Sequence, residues 1–155
     1  MLRVGAKAPA FALKDKDGKV CALSSFKAKY TIVYFYPKDN TPGCTIEAIL
    51  FSKSLPALKK LGAAVIGISG GDEKSKSVFC EKHNLSVLLL SDPEFKVSKK
   101  YGVYGEKSFM GRKFNGITRS TFVLDKNKKA IKVFENANPA TNPSEIVTFL
   151  SSFKK

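Results

Sequence analysis

Cys44 ends the run Thr41-Pro42-Gly43-Cys44 and is one of three cysteines in the chain. Thr41 and Pro42 read as a helix start, the threonine at the cap and the proline at the first helical position, where its missing N–H costs nothing. Cys44 then falls in the first helical turn. Unpaired backbone N–H groups and the positive end of the helix dipole favour an anion there, so a thiolate gains over a thiol. A free cysteine is only about 3% ionised at pH 7, and a depression of about two pKa units would make the thiolate the major form. Gly43 removes a side chain beside the sulfur and lets a small substrate approach the backbone. The spacing also admits a second reading, because unpaired cysteines are among the most buried residues and are commonly inert. A nearby cation would favour reactivity. Arg119, in the segment GITRSTFVLD, stands where a core strand begins, whereas Arg3 lies near the N-terminus and Arg112 in a long loop. The alternative for Arg119 is a surface arginine on a sheet edge.

The remaining chemistry-bearing residues exclude several classes. Three cysteines make no closed disulfide framework, and in a reducing compartment a cysteine is packed, metal-bound or redox-active. With His83 as the one histidine and no C-x-x-C pair, tetrahedral metal ligands are lacking, so neither a metal nor another cofactor is expected. His83 reads as a partly exposed residue at a helix end, favourable to the dipole there. Cys21 alternates with Leu23 on one face of a strand and reads as core.

These residues need a scaffold. FALKDKDGKVCALSSF alternates around Asp17-Gly18, a strong hairpin signal. TIVYFYP, AAVIGIS and SVLLLSD have the length and β-rich character of strands, and TFVLDKNKKAIKVFEN supplies two more joined by a turn at Asp125 to Lys129. Helices are expected over Cys44 to Leu61, Lys74 to His83, Phe95 to Tyr101 and Pro143 to Phe153. The order places a central mixed sheet between helices, with parallel crossovers early and an antiparallel pair late. TIVYFYP then delivers Cys44 at its carboxyl end, where open α/β sheets place their sites. YGEKSFMGRKFNGITR reads as a long irregular loop, which in a compact domain is commonly functional or a cover over a site.

Composition agrees with this class. A chain of 155 residues, 43% hydrophobic and 26% charged, suits one globular domain with its own core, spanning 1–155. No apolar run approaches the roughly 18 residues of a membrane span. MLRVGAKAPAF has no apolar signal core, so a cytoplasmic setting without membrane attachment is expected. The formal charge of +14 raises the question of a nucleic-acid partner. The lysines are scattered, including the pairs Lys59-Lys60, Lys99-Lys100, Lys128-Lys129 and Lys154-Lys155, and they read as solvated surface with no nucleic acid bound.

The segment Tyr34-Phe35-Tyr36-Pro37-Lys38-Asp39-Asn40-Thr41-Pro42-Gly43-Cys44-Thr45 resembles the active-site run of the peroxiredoxins, in the bacterioferritin comigratory protein or peroxiredoxin Q subfamily. Pro37, Thr41 and Cys44 meet its P-x-x-x-T-x-x-C signature. The resemblance extends to Gly67-Ile68-Ser69, Leu90-Ser91-Asp92, the loop from Tyr104 to Gly111 and the stretch from Gly116 to Phe122, and so covers nearly the whole chain. It implies a thioredoxin fold with an N-terminal β-hairpin extension. It also implies a thiol peroxidase in which Cys44 is the peroxidatic nucleophile and becomes a sulfenic acid. Thr41 would hydrogen-bond the peroxide, Arg119 would hold the thiolate and the developing charge, and the Gly43 and Cys44 N–H groups would polarise the O–O bond. Pro37 would shield the sulfur, and Glu47 would orient the arginine. The alternative for Glu47 is a solvated acid favoured by the dipole.

Many relatives carry a second cysteine on the same helix, at a position that is Ile49 here. The other family arrangement puts it on the following helix, which Cys80 matches. A helical wheel groups Val78, Phe79 and Leu85 on one side with Cys80 opposite, predicting an accessible thiol; a passive cysteine is the other reading. The expectation is a monomeric peroxidase acting on hydrogen peroxide and organic hydroperoxides, resolved by a Cys44–Cys80 disulfide and recycled by thioredoxin. A 1-Cys peroxidase using an external thiol is the runner-up. A thioredoxin-like disulfide oxidoreductase is disfavoured because Thr41 stands where its first cysteine would be. A basic nucleic-acid-binding or chaperone-like protein has only the scattered lysines in its favour.

Overall fold

The computed structural model describes residues 1–153; Lys154-Lys155 lie outside the described residues. The strands are β1 (Ala12–Lys14), β2 (Val20–Ala22), β3 (Tyr30–Phe35), β4 (Ala63–Ser69), β5 (Leu88–Ser91), β6 (Tyr104–Phe109), β7 (Arg112–Ile117), β8 (Ser120–Leu124) and β9 (Ala130–Glu135). The helices are α1 (Pro42–Lys60), α2 (Glu73–His83), α3 (Lys96–Lys100) and α4 (Asn142–Ser152). Seven strands form one sheet in the order β2-β1-β5-β4-β3-β8-β9. This is a thioredoxin fold with the expected hairpin added at its N-terminus.

β3 lies near the middle of the sheet, parallel to β4 and antiparallel to β8, and all its residues are buried. Its run of aromatic and β-branched side chains suits a strand covered on both faces. Alternation sends Tyr30, Ile32 and Tyr34 into one core with Phe51 of α1, Phe79 of α2 and Ile146 of α4. Val33 and Phe35 enter the other, with Phe11, Val97, Tyr101 and Phe122. Helices α1, α2 and α4 thus contribute to the face that also holds Cys44 and Cys80.

Register brings distant residues to one end of the sheet. Phe35 pairs with Ile68 on one side and Ser120 on the other, so the turn after β3, the end of β4 and Arg119 converge.

The loop reading of Tyr104 to Arg119 is corrected. Most of that segment is an antiparallel hairpin, β6–β7, forming a separate two-stranded sheet. Its turn uses Met110 and Gly111 at positive φ, 51° and 78°, a pairing that suits a tight hairpin turn. Its strands are largely exposed, with Glu106, Ser108, Lys113 and Asn115 on the polar face, so they carry little of the apolar alternation that marks a buried strand. Pro56, a residue that helix interiors disfavour, lies inside α1 without ending it. The backbone there loses the hydrogen bond that a proline nitrogen cannot donate, yet Phe51 and Leu58 on either side are fully buried.

Candidate active site

Thr41 is the N-cap residue of α1, with extended backbone angles, and Pro42 opens the helix. The Thr41 hydroxyl does not cap the helix as expected; it donates instead to the Lys38 carbonyl at 2.9 Å. The first helical bond runs from the Thr45 N–H to the Thr41 carbonyl at 2.8 Å. The amides of Gly43 and Cys44 precede that bond and have no partner within the helix. Cys44 is 2% exposed, in the first turn of α1 at the inner face of the fold.

Arg119 reaches across from the start of β8. Its Nη2 donates to Cys44 Sγ at 3.4 Å while its Nη1 donates to Glu47 Oε1 at 2.7 Å. One guanidinium therefore spans the sulfur and a carboxylate one helical turn further on. The Glu47 side chain is fully buried, so the solvated-acid alternative is overturned, and the Arg119 side chain is 16% exposed, which overturns the surface-arginine alternative. Burial pushes the Glu47 carboxyl up to about 7, with the Arg119 charge and hydrogen bond opposing that rise. The Arg119 pKa also lies above its ordinary value: burial works against the charge, but the Glu47 and Cys44 charges outweigh it.

Gly43 is needed at close quarters. A Cβ built there would lie 3.1 Å from Arg119 Nη2 and 3.6 Å from Pro139 Cγ. Pro37 is half-buried in the turn between β3 and α1. Lys107, on β6, adds a second cation: its Nζ donates to the Ile117 carbonyl at 2.8 Å. Its pKa is lowered, mainly by burial and also by the nearby Arg119 charge, against the opposing pull of Cys44. Neither Lys107 nor Pro139 was legible as a neighbour of the site, because both reach it through loop and hairpin geometry.

Cys80 is placed differently from the expectation. It is 6% exposed and belongs to the same core as Cys44, whereas Val78 is 52% exposed. The buried stripe of α2 is Lys76, Phe79 and Cys80, followed by half-buried His83, at the i, i+3, i+4, i+7 spacing of one helix face. Leu85 does not share the wheel of α2, because it lies beyond the left-handed cap at Asn84, φ 51°. Burial pushes the Cys80 thiol up. Its rim is a recess lined by Asp15, Lys16, Leu85 and Leu89. All three cysteines are free; Cys21 is partly buried against the second core.

A polar cluster behind the active-site turn escaped the sequence reading. Lys76 is fully buried and paired with Asp39 at 2.9 Å, an exception to the expectation that the lysines are solvated surface. His83, besides ending α2, makes a 2.8 Å hydrogen bond with Asn40 of the same turn. The signal available was the stripe that carries Lys76 onto the face of Phe79. Among the described residues no group of acids, cysteines and histidine could hold a metal, and no helix is long and apolar enough to cross a membrane.

Comparison with known proteins agrees with this geometry. Residues 4–133 match the AhpC/TSA family. Peroxiredoxin Bcp of Escherichia coli is 40% identical over 149 residues, 96% of each chain. The bacterioferritin comigratory protein of Xanthomonas campestris, whose structure concerns alkyl peroxide reduction, superposes with a TM-score of 0.85 at 30% identity, covering 92% of this chain and 90% of that one. A mutant PrxQ of Xylella fastidiosa gives 0.92 at 27% identity over 98% and 97% of the two chains. A reactive-looking cysteine at a helix start, a bridging arginine and near-full-length likeness to these proteins lead to one conclusion: the chain belongs to the AhpC/TSA family, as a peroxiredoxin of the Bcp and peroxiredoxin Q branch, and is a peroxidase.

Proposed function

We propose that Cys44 is the peroxidatic nucleophile of an atypical 2-Cys cycle on hydrogen peroxide and organic hydroperoxides. The Cys44 thiolate attacks the distal peroxide oxygen and the O–O bond breaks. The O–H oxygen of the peroxide passes to sulfur as a sulfenic acid, and the alkoxide or hydroxide leaves, taking a proton from solvent, as alcohol or water. Arg119, aimed at the sulfur and braced by Glu47, stabilises charge on the sulfur and on the departing oxygen. The Gly43 and Cys44 amides hold the peroxide, and Pro37 screens the sulfur. The Thr41 proton is engaged by the Lys38 carbonyl, so the Thr41 oxygen is the acceptor for the peroxide O–H. The guanidinium bridge between Cys44 and Glu47 carries this reading.

The Cys80 thiol then displaces water from the sulfenic acid to give a Cys44–Cys80 disulfide. Thioredoxin returns both thiols and is itself oxidised. Activity as a monomer, in the cytoplasm, with no cofactor and no nucleic acid, completes the reading. The alkyl peroxide chemistry of the Xanthomonas relative supports organic hydroperoxides as substrates. The burial of Cys80 favours a second reading, a 1-Cys cycle in which an external thiol reduces the sulfenic acid.

The test is peroxide consumption with a thioredoxin system by wild type, Cys44→Ser and Cys80→Ser, with peptide mapping of the oxidised protein. The proposal expects no turnover without Cys44, and loss of thioredoxin-linked turnover without Cys80. Full thioredoxin-linked turnover by Cys80→Ser would establish the 1-Cys cycle instead.

A further inference from the structure

Lys76 spends all its hydrogen-bonding capacity in one buried place. Its ammonium donates to Asp39 Oδ2 at 2.9 Å and Oδ1 at 3.2 Å, to Ser69 Oγ at 2.7 Å and to the Gly71 carbonyl at 3.3 Å. Asp39 also accepts from Tyr36 Oη at 2.5 Å, Ser69 Oγ at 3.3 Å and Ser75 Oγ at 2.6 Å. The side chains of Lys76 and Asp39 are 0% and 4% exposed. Both charges are therefore paired and fully satisfied, the condition under which a buried ion pair is tolerated.

The two partners belong to the two elements that carry the cysteines. Asp39 lies in the turn that leads into Thr41 and Cys44. Lys76 lies one helical turn before Cys80 on the same face of α2. A second tie between the same elements, His83 to Asn40 at 2.8 Å, lies near the end of α2.

We propose that the buried Asp39–Lys76 pair is a latch between the active-site turn and α2, holding both wound and setting how fast they open for the Cys44–Cys80 disulfide to form. Lys76 and Asp39 are positioning residues, and the proposal rests on Cys80 being the resolving thiol. An apolar contact would hold the elements as firmly, but on opening it would expose its surface to water. Two ions separating into water regain hydration, which offsets the lost pairing. Such a latch is rigid when closed and costs comparatively little to open. Its strength also sets the partition of oxidised Cys44. The sulfenate either loses water to Cys80 or meets a second peroxide, which transfers an oxygen to give sulfinate and leaves as alcohol or water. A tighter latch lengthens the wait and raises the sulfinate share.

The test compares wild type with Lys76→Met and Gly71→Ala. The alanine attacks the latch from outside, since its Cβ would run into Asp39 Oδ2 and lie 2.7 Å from Ser75 Oγ. Gly71 has no left-handed backbone to strain, so this variant carries the comparison if Lys76→Met does not fold. Three quantities are followed: reduced-state hydrogen exchange at 39–44 and 74–82, the disulfide-forming rate after one equivalent of hydrogen peroxide, and the sulfinate fraction at excess peroxide. The latch predicts faster exchange in both segments, disulfide formation about tenfold faster, and a lower sulfinate fraction, with the first peroxide step unchanged. Unchanged exchange and an unchanged disulfide rate in the folded variants would overturn it. If exchange accelerates but even wild type forms no Cys44–Cys80 disulfide, the resolving role of Cys80 fails, whereas the tie between the two segments stands.

Discussion

Arg119 and Glu47 form an ion pair at 2.7 Å in which the carboxylate is wholly buried and the guanidinium keeps its other nitrogen for Cys44. The acid fixes where the cation points. Replacing Arg119 by methionine keeps much of the side-chain volume but removes both the charge and the donor to sulfur. The expected loss is on the order of 10²-fold to 10³-fold in the rate of reaction with peroxide, comparable to deleting an oxyanion-hole donor. Arg119→Lys should recover little, because one ammonium cannot span Glu47 and Cys44 as a fork does. Stopped-flow measurement of Cys44 oxidation checks this; a methionine variant as fast as wild type would remove Arg119 from the chemistry.

Glu47 should leave a signature in stability against pH. Its carboxyl is pushed from 4.5 up to about 7 by burial, despite the partner arginine. Below about pH 4.5 the group is protonated in both folded and unfolded states and makes no difference. Between about 4.5 and 7 the unfolded chain ionises while the folded one holds its proton, so stability falls as pH rises, levelling off above about 7. The loss is at most about 3 kcal/mol. In Glu47→Gln this component disappears. Denaturant unfolding of both proteins from pH 4 to 8 measures the difference curve; a flat difference would mean that Glu47 titrates normally.

Gly43 offers a gentler probe of the same geometry. Alanine there would bring a methyl group to 3.1 Å from Arg119 Nη2, tighter than most carbon contacts, and to 3.6 Å from Pro139. The guanidinium must shift by a few tenths of an ångström, and the nitrogen that moves is the one that donates to Cys44 Sγ at 3.4 Å. Gly43→Ala should therefore fold with stability within about 1 kcal/mol of wild type and react with peroxide about tenfold more slowly. Undiminished reactivity would show that the arginine adjusts without leaving Cys44.

The parts of the molecule that follow from periodicity were legible beforehand. TIVYF is buried on both faces, Asp17-Gly18 turns the first hairpin, and Thr41-Pro42 starts α1. What escaped depended on exact element ends and on tertiary register. The helix end at His83 matches the expectation, but a wheel carried past it to Leu85 rotates the apparent face of α2, hiding both the burial of Cys80 and the inward position of Lys76. The β6–β7 hairpin was invisible for a different reason: a strand that covers no core has little hydrophobic pattern to read, and Met-Gly is a weaker turn signal than Asn-Gly. The site itself was read on family likeness. The sequence order of Cys44, Glu47 and Arg119 carries no information on which atoms meet; that comes from the Phe35–Ser120 register.

Joining Cys44 to Cys80 requires the fold to move. Both are nearly inaccessible, at 2% and 6%, on separate helices, and both are free thiols in this conformation. A disulfide needs Cα atoms about 4.4–6.8 Å apart, whereas the fold keeps Cys44 within the first turn of α1 and Cys80 in the third turn of α2. Oxidation should therefore unwind the start of α1, the part of α2 around Cys80, or both. Fraying such ends forfeits a few backbone hydrogen bonds at about 1 kcal/mol each, small beside a domain stability of about 5–15 kcal/mol. Because α1 continues through Pro56, the change should stop at the buried contacts of Ala48 and Phe51 and should not reach the proline. Hydrogen exchange on the reduced and disulfide forms should then show lost protection at 42–46 and 77–83, with 50–60 unchanged. Equal protection in both forms would reject the unwinding, and mapping a bridge from Cys44 to Cys21, or to Cys44 of a second molecule, would reject Cys80 as its partner.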